Sequence, residues 1–227
     1  MTEICRSLGI AEEGCSVLER YLKLLLNSPV NLTSTRDLQV AFVKHVEDVA
    51  IPFGITGIKG DCIDIGSGGG LPGLVLAILF PETKWVLSES RQAKATQLLR
   101  FVKELSLSGV QISGERVEEY GRNHPEAFDN AVIRAVGRAD LCLEYAAPLL
   151  KLSGSAFLFK GPNWRDEIRY SAKACSFLGM NLARIIPYTL SDHSQRYLIE
   201  YTKVSATPNQ FPRKPGLAAK RPLGNML

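Results

Sequence analysis

The sequence predicts an α/β fold, a seven-stranded sheet with helices between most of its strands and a small N-terminal helical cap, and three observations predict it. From Ile58 onward, short apolar runs alternate with longer amphipathic stretches, the texture of βα units on a parallel sheet. A glycine-rich turn follows the first of these runs. The last two runs are joined only by Thr189 to Arg196, too short for a parallel crossover, so the final strand is expected to form a hairpin with its predecessor.

In chain order, apolar positions from Glu3 to about Asn27 recur at helical spacing (Leu18, Tyr21, Leu22, Leu25). A second helical stretch runs from about Leu38 to Ala50, after the turn-forming Ser28-Pro29-Val30-Asn31. These make the cap, residues 1–50. Strands are expected near Asp61 to Ile65, Lys84 to Ser88, Val110 to Ser113, Ala131 to Arg134, Ser155 to Phe159, Ala183 to Tyr188 and Tyr197 to Lys203. Helices fit between them at Pro72 to Phe80, Arg91 to Leu107, Ala139 to Leu150 and Trp164 to Leu178. The first opens on a proline whose fixed φ suits a first turn. Residues 51–204 thus form the main domain. Residues 205–227 form a Pro-rich tail, irregular and mobile unless docked.

A chain of 227 residues with 45% hydrophobic and 22% charged residues can bury one sizeable core, which excludes wholesale disorder. Its apolar stretches are too short or too interrupted to cross a bilayer, and Met1 to Leu8 carries Glu3 and Arg6 instead of a signal-peptide pattern, so a cytoplasmic, non-membrane protein is expected. Cys5, Cys15, Cys62, Cys142 and Cys175 are scattered and odd in number, with no Cys-x-x-Cys pair. Reduced, mostly buried thiols and no metal site are expected. The net charge of +4 is matched by the tail alone, where Arg213, Lys214, Lys220 and Arg221 stand without an acidic residue. Such a tail suits a polyanion such as RNA, and a merely solubilising terminus is the alternative.

The run Asp64-Ile65-Gly66-Ser67-Gly68-Gly69-Gly70-Leu71-Pro72-Gly73 joins a strand to a helix through residues that permit positive φ and close backbone approach. Gly68, Gly70 and Gly73 spell a Gly-x-Gly-x-x-Gly, and Glu89 ends the next strand where a ribose-binding acid is expected. The glycines alone fit a dinucleotide-binding dehydrogenase as well. Asp64 separates the two readings: a carboxylate at the strand tip repels a pyrophosphate and suits the cationic ammonium and sulfonium of S-adenosylmethionine. Glu89 can accept from both ribose hydroxyls. A plain Gly-rich turn, with Asp64 capping the helix, is the competing structural reading. Arg116-Val117-Glu118-Glu119, after the third strand, falls at the same sheet edge, toward the adenine.

With these residues the chain resembles the family of small-subunit ribosomal RNA guanine-N7 methyltransferases, also called the glucose-inhibited division protein B family. The resemblance runs through Asn31-Leu32-Thr33, Lys44-His45-x-x-Asp48, the loop with Leu71-Pro72-Gly73, Arg116-Val117-Glu118-Glu119 and Arg134-Ala135. It continues through Lys160-Gly161, Arg196-Tyr197-Leu198, and the tail strings Phe211-Pro212-Arg213-Lys214-Pro215-Gly216 and Lys220-Arg221-Pro222-Leu223. It implies a Rossmann-like S-adenosylmethionine-dependent methyltransferase fold and a single guanine of small-subunit (16S) ribosomal RNA, free or in an assembling subunit, as acceptor. A different RNA or a small molecule is the alternative acceptor.

The cofactor-binding set expected on these grounds is Asp64, Gly66, Ser67, Gly68, Gly70, Leu71, Glu89, Val117, Glu118 and Arg134. Guanine N7 is an unprotonated acceptor and needs no general base, so Arg134, Lys160 and Arg196 are read as groups that position substrate, with pairing to a neighbouring carboxylate or covering of a helix end as the alternative for each. Arg134 and Lys160 end strands at the carboxyl edge where ligands bind in open α/β sheets. Where the family carries two basic residues the chain has Ala93-Lys94, leaving Lys94 as the RNA-binding candidate there, beside Arg213, Lys214, Lys220 and Arg221 in the tail. A monomer is expected.

Overall fold

The structure, a computed structural model, describes residues 2–225. The helices are α1 (Thr2–Ser7), α2 (Glu12–Leu26), α3 (Leu38–Ala41), a π-helical stretch (Phe42–Glu47) continuing into α4 (Asp48–Thr56), α5 (Gly73–Leu79), α6 (Gln92–Glu104), α7 (Val117–Asn123), α8 (Ala139–Ala146), α9 (Trp164–Ile168), α10 (Ser171–Leu178) and α11 (Leu217–Lys220). The strands are β1 (Asp61–Ile65), β2 (Lys84–Ser88), β3 (Val110–Ser113), β4 (Phe128–Arg134), β5 (Leu150–Lys160), β6 (Met180–Thr189) and β7 (Gln195–Lys203). They form one sheet in the order β3-β2-β1-β4-β5-β7-β6, parallel except for β7, which runs antiparallel to both β5 and β6. The terminal hairpin is as expected. The strand order switches between β1 and β4, and the carboxyl ends of the parallel β1, β4 and β5 lie at one edge there.

Two apolar cores line the two faces of the sheet. One joins Leu18, Tyr21, Leu22 and Leu25 of α2 with Phe42, Phe53, Leu74 and Trp85. The N-terminal helices therefore share their core with the sheet. The other packs Ala139, Leu143 and Ala146 of α8 and Leu178 of α10 against Ile63, Ile133 and Leu158. No helix of the described residues is long and apolar enough to cross a membrane.

Several elements differ from the sequence expectation. The first helix is two, broken at Gly9 (φ 70°), and the helix expected to stop at Ala50 continues to Thr56 with Pro52 inside it. Pro72 sits at the N-cap of α5 instead of its first turn. The stretch from Ala139 to Leu150 ends as a helix at Ala146, because Leu150 already pairs with Phe128 at the start of β5. Trp164 to Leu178 is interrupted, so α9 and α10 are separate helices. Cys5 and Cys15, expected as free thiols, are joined in a disulfide with Cα atoms 6.0 Å apart: the turn between α1 and α2 folds the two helices together, a proximity that spacing alone does not reveal. Cys62, Cys142 and Cys175 are free and buried.

The tail also departs from the expected mobility. Phe211, Ala218 and Leu223 are buried, the Arg213 Nε donates to Glu144 Oε1 at 2.6 Å, and the Gly216 and Gly224 amides donate to Glu118 and Asp140. It docks along α7 and α8 because three buried carboxylates on those helices find their donors in it.

Candidate active site

The loop after β1 is held by its own backbone. The Gly66 and Ser67 amides donate to the Ser88 carbonyl, the Gly70 amide to the Ser67 carbonyl, and Gly66, Gly68 and Gly70 all have positive φ, which an L side chain resists. A Cβ on Gly68 would meet nothing nearer than the Gly66 carbonyl at 3.9 Å, so the loop presents bare backbone to open space there. Tyr21 donates its hydroxyl to the Gly69 carbonyl (2.9 Å), fastening the N-terminal helices to the outside of the loop. Leu71 is buried beside it.

Asp64 is fully buried, and its Oδ2 accepts from the Gly73 amide (2.9 Å) at the start of α5. The helix-capping reading of Asp64 is thus realised. Its second oxygen, Oδ1, is buried with no hydrogen-bond partner, a cost that an added donor or cation would remove. Burial pushes the carboxyl up to about 7, against the capping amide and the Ser67 hydroxyl, which act in the opposite direction. Glu89 spans the loop mouth: Oε2 accepts from the Gly68 amide (3.0 Å) and Oε1 from the Arg91 amide (2.8 Å). Each oxygen keeps a second lone pair for a hydroxyl. Val117 is half-buried in the first turn of α7, while Glu118, expected to face a ligand, is buried and spends Oε1 on the Gly216 amide of the tail.

The raised Asp64 carboxyl makes a prediction. Between the usual carboxylate value of 3.8 and about 7, the unfolded chain has lost this proton and the folded chain retains it. Asp64 therefore costs progressively more folding stability as pH rises through that window and no more above it. The melting temperature of the cofactor-free wild type, relative to Asp64→Asn, is expected to fall from about pH 4 to about pH 7 and then level off. A difference that is flat across this range would contradict the assignment.

Beside the loop lies a cleft of about 550 Å³ lined by Asp48, Arg134, Val136, Phe159, Lys160 and Arg196, among others. Loop and cleft adjoin, since a Cβ on Gly66 would come within 2.6 Å of Val136. Three sequence candidates, Arg134, Lys160 and Arg196, meet here, delivered by the ends of β4 and β5 and the start of β7. Each cation is tied to a carboxylate. Arg134 Nη1 donates to Asp48 Oδ2 (3.0 Å) and to the Lys44 carbonyl (3.1 Å), and Nη2 reaches His45 Nδ1 at 3.4 Å. Lys160 donates to the Gly137 carbonyl (2.7 Å) and to Glu167. The Arg196 Nε stands 3.8 Å from Asp48 Oδ1, which also accepts from the Tyr188 hydroxyl (2.8 Å).

Asp48 is the residue the sequence reading passed over as a site residue. It collects Arg134, Arg196 and Tyr188 from three strands onto the helix at the cleft wall. Its signal was visible: it stands three residues after His45, within the string Lys44-His45-x-x-Asp48. Burial, then the Arg134 charge, lowers His45 to about 4, so the ring is neutral. Because arginine only donates, Nδ1 is the acceptor, and Nε2–H donates to Thr33 Oγ1 (2.8 Å). His45 and Thr33 thus position Arg134. Of the RNA candidates, Lys214, Lys220 and Arg221 are exposed and Lys94 is half-buried on α6. Arg213 differs from them: it is half-buried and its guanidinium is paired with Glu144.

The family model described as rRNA small subunit methyltransferase G matches residues 14–195 of the chain. The ribosomal RNA small subunit methyltransferase G of Thermotoga neapolitana is 39% identical over 225 residues, covering 98% of this chain and 98% of that protein. That of Carboxydothermus hydrogenoformans is 39% identical over 224 residues, covering 95% and 94%. Among solved structures, the 16S rRNA (adenine(1408)-N(1))-methyltransferase from Catenulisporales acidiphilia superposes with a TM-score of 0.53 at 13% identity, over 65% of this chain and 86% of that one. The YcgJ protein of Bacillus subtilis gives 0.51 at 12%, over 71% and 100%. These two likenesses speak for the fold.

Proposed function

Since the chain belongs to the rRNA small subunit methyltransferase G family, we propose that it transfers the methyl group of S-adenosylmethionine to N7 of a guanine in small-subunit (16S) ribosomal RNA. The observation that carries the reading beyond family membership is the cleft bounded by Arg134, Lys160 and Arg196 that opens directly beside the glycine loop. It sets an acceptor site against a cofactor site.

The residues present fit the cofactor. Asp64 Oδ1 lacks a partner in a buried place, Glu89 faces the loop mouth, and the backbone around Gly68 is uncovered. S-adenosylmethionine supplies a methyl group on a sulfonium. Asp64 and Glu89 would hold it, with Gly66, Ser67, Gly68, Gly70, Leu71 and Val117 shaping the cradle. The remaining work is alignment, which contributes about 7–11 kcal/mol in well-oriented reactions. Arg134, fixed by Asp48 and His45, and Lys160, fixed by Glu167 and Gly137, supply rigid donors at the acceptor cleft. Their carboxylate partners temper the positive field, which suits an acceptor that becomes cationic on methylation.

We take the enzyme to act in the cytoplasm as a monomer. Among its exposed large apolar side chains, Ile55 on α4, Leu99 on α6 and Leu152 on β5 stand on separate elements. Mass mapping of methylated nucleotides in 16S RNA from cells with and without the gene tests the assignment. One N7-methylguanine is expected to vanish in its absence and return with the purified protein and donor; an unchanged map would defeat it.

A further inference from the structure

The cations of Arg134, Lys160 and Arg196 at the acceptor cleft are paired with carboxylates, but two on and just after α9 are not. Arg165 and Arg169 are exposed, and among the described residues neither forms an ion pair. Both are held over aromatic rings: the Arg165 guanidinium lies 4.5 Å from the centre of Trp164, and that of Arg169 lies 4.7 Å from Tyr170, which Arg138 approaches at 4.1 Å. The two free arginines border a second cleft, of about 590 Å³, between α9, α10 and β6, with walls from Trp164, Ile168, Leu182 and Ile185.

Trp164 is 8% exposed, and its Nε1 is a buried donor without a partner. Leu182, in contrast, is 39% exposed at the rim of this cleft. The helix α9 divides the two clefts, with Glu167 lining the acceptor side and Arg165 and Ile168 the other. The docked tail extends the same surface: Gly224 packs so closely on Tyr170 that a Cβ would come within 2.6 Å, and the Asn225 side chain accepts from Arg138 (3.1 Å). The exposed Lys220 and Arg221 belong to this docked segment.

We propose that this second cleft binds a nucleobase of the single-stranded RNA flanking the methylated guanine, with Arg165 and Arg169 on the adjoining phosphates. The proposal rests on the rRNA reading for its ligand. A base has flat apolar faces for the cleft walls and edge oxygens or ring nitrogens that accept hydrogen bonds, and the indole N–H is a donor that requires such an acceptor. Uncompensated guanidinium groups are the ones that displace counterions from phosphates, and their planar forks stack on rings and bind phosphate oxygens in pairs.

The full-length protein is compared with Arg165→Glu/Arg169→Glu, Arg165→Lys/Arg169→Lys and Trp164→Phe, using protein-free 16S RNA transcript in binding titrations over a range of salt. S-adenosylhomocysteine affinity reports the integrity of the cofactor site. The charge-reversed pair is expected to bind the transcript at least about tenfold more weakly, with a salt slope flatter by about 2, while the lysine pair keeps most of the slope. Trp164→Phe, which keeps a ring and loses the donor, is expected to raise KM for RNA about 3- to 10-fold with kcat unchanged. Unchanged RNA affinity and slope in the charge-reversed pair, with S-adenosylhomocysteine binding intact, would overturn the proposal. So would an unchanged KM for Trp164→Phe, or weakening seen only with assembled subunits, which would mark a protein partner. Arginine-dependent RNA binding by a wild type that methylates no guanine would instead leave the cleft standing and defeat the catalytic assignment.

Discussion

Replacing Arg134 with methionine is expected to lower kcat/KM for rRNA methylation about 100-fold or more, the scale set by misplacing reacting groups by roughly an ångström. The guanidinium makes three simultaneous contacts, with Asp48 Oδ2, the Lys44 carbonyl and the His45 ring, and these hold the end of β4 to the N-terminal helices at the cleft wall. Methionine fills a similar volume and makes none of them. Lysine is expected to recover little, because a single ammonium cannot reproduce the planar fork. Asp48 keeps Tyr188 and Arg196 in the variant, so folding is expected to survive. Single-turnover methylation with labelled donor measures the effect, and S-adenosylhomocysteine titration separates a cofactor role from an acceptor role. Turnover within threefold of wild type would remove Arg134 from the site.

Removing the Arg213 side chain carries the largest expected stability effect. Glu144 is 1% exposed and receives Arg213 through two guanidinium nitrogens, so Arg213→Ala leaves a buried carboxylate unpaired. Breaking such a pair costs about 3–5 kcal/mol, whereas replacing both members with apolar residues is often neutral. Arg213→Ala is therefore expected to unfold at markedly lower urea, with protease cleaving the released tail. Arg213→Met/Glu144→Leu should restore most of the loss. Lys214→Ala and Lys220→Ala, both at exposed positions, should leave stability unchanged and weaken RNA binding. An Arg213→Ala protein of full stability and reduced RNA affinity would reinstate Arg213 as an RNA contact.

These two arginines show where sequence reading succeeds and where it stops. Arg134 was legible because it follows an apolar run, and the carboxyl end of a parallel strand points at the ligand edge whatever surrounds it. Its partner Asp48 lies 86 residues earlier, on a helix that no local pattern ties to β4. Arg213 looked like a free cation because its neighbours in the chain include no acid. The acid that claims it lies 69 residues away on α8, and it is visible only once the tail is laid along that helix. Arg165 and Arg169 flank the acidic Asp166 and Glu167 in the chain, yet Glu167 turns to Lys160, and among the described residues neither arginine forms an ion pair.

The sequence by itself determined the seven strands in chain order, the closing hairpin, the glycine loop after Asp64 with Glu89 at the end of the following strand, and the family. All of these are written in residues close together along the chain, where side-chain periodicity, turn chemistry and connection length act directly. Only the tertiary structure decided which charges are spent and which are free, that Asp64 caps α5 with one oxygen left over, that Cys5 meets Cys15, and that the tail is docked. Ion pairing and burial depend on distances across the fold, and a carboxylate removed from water claims whichever donor the packing brings to it.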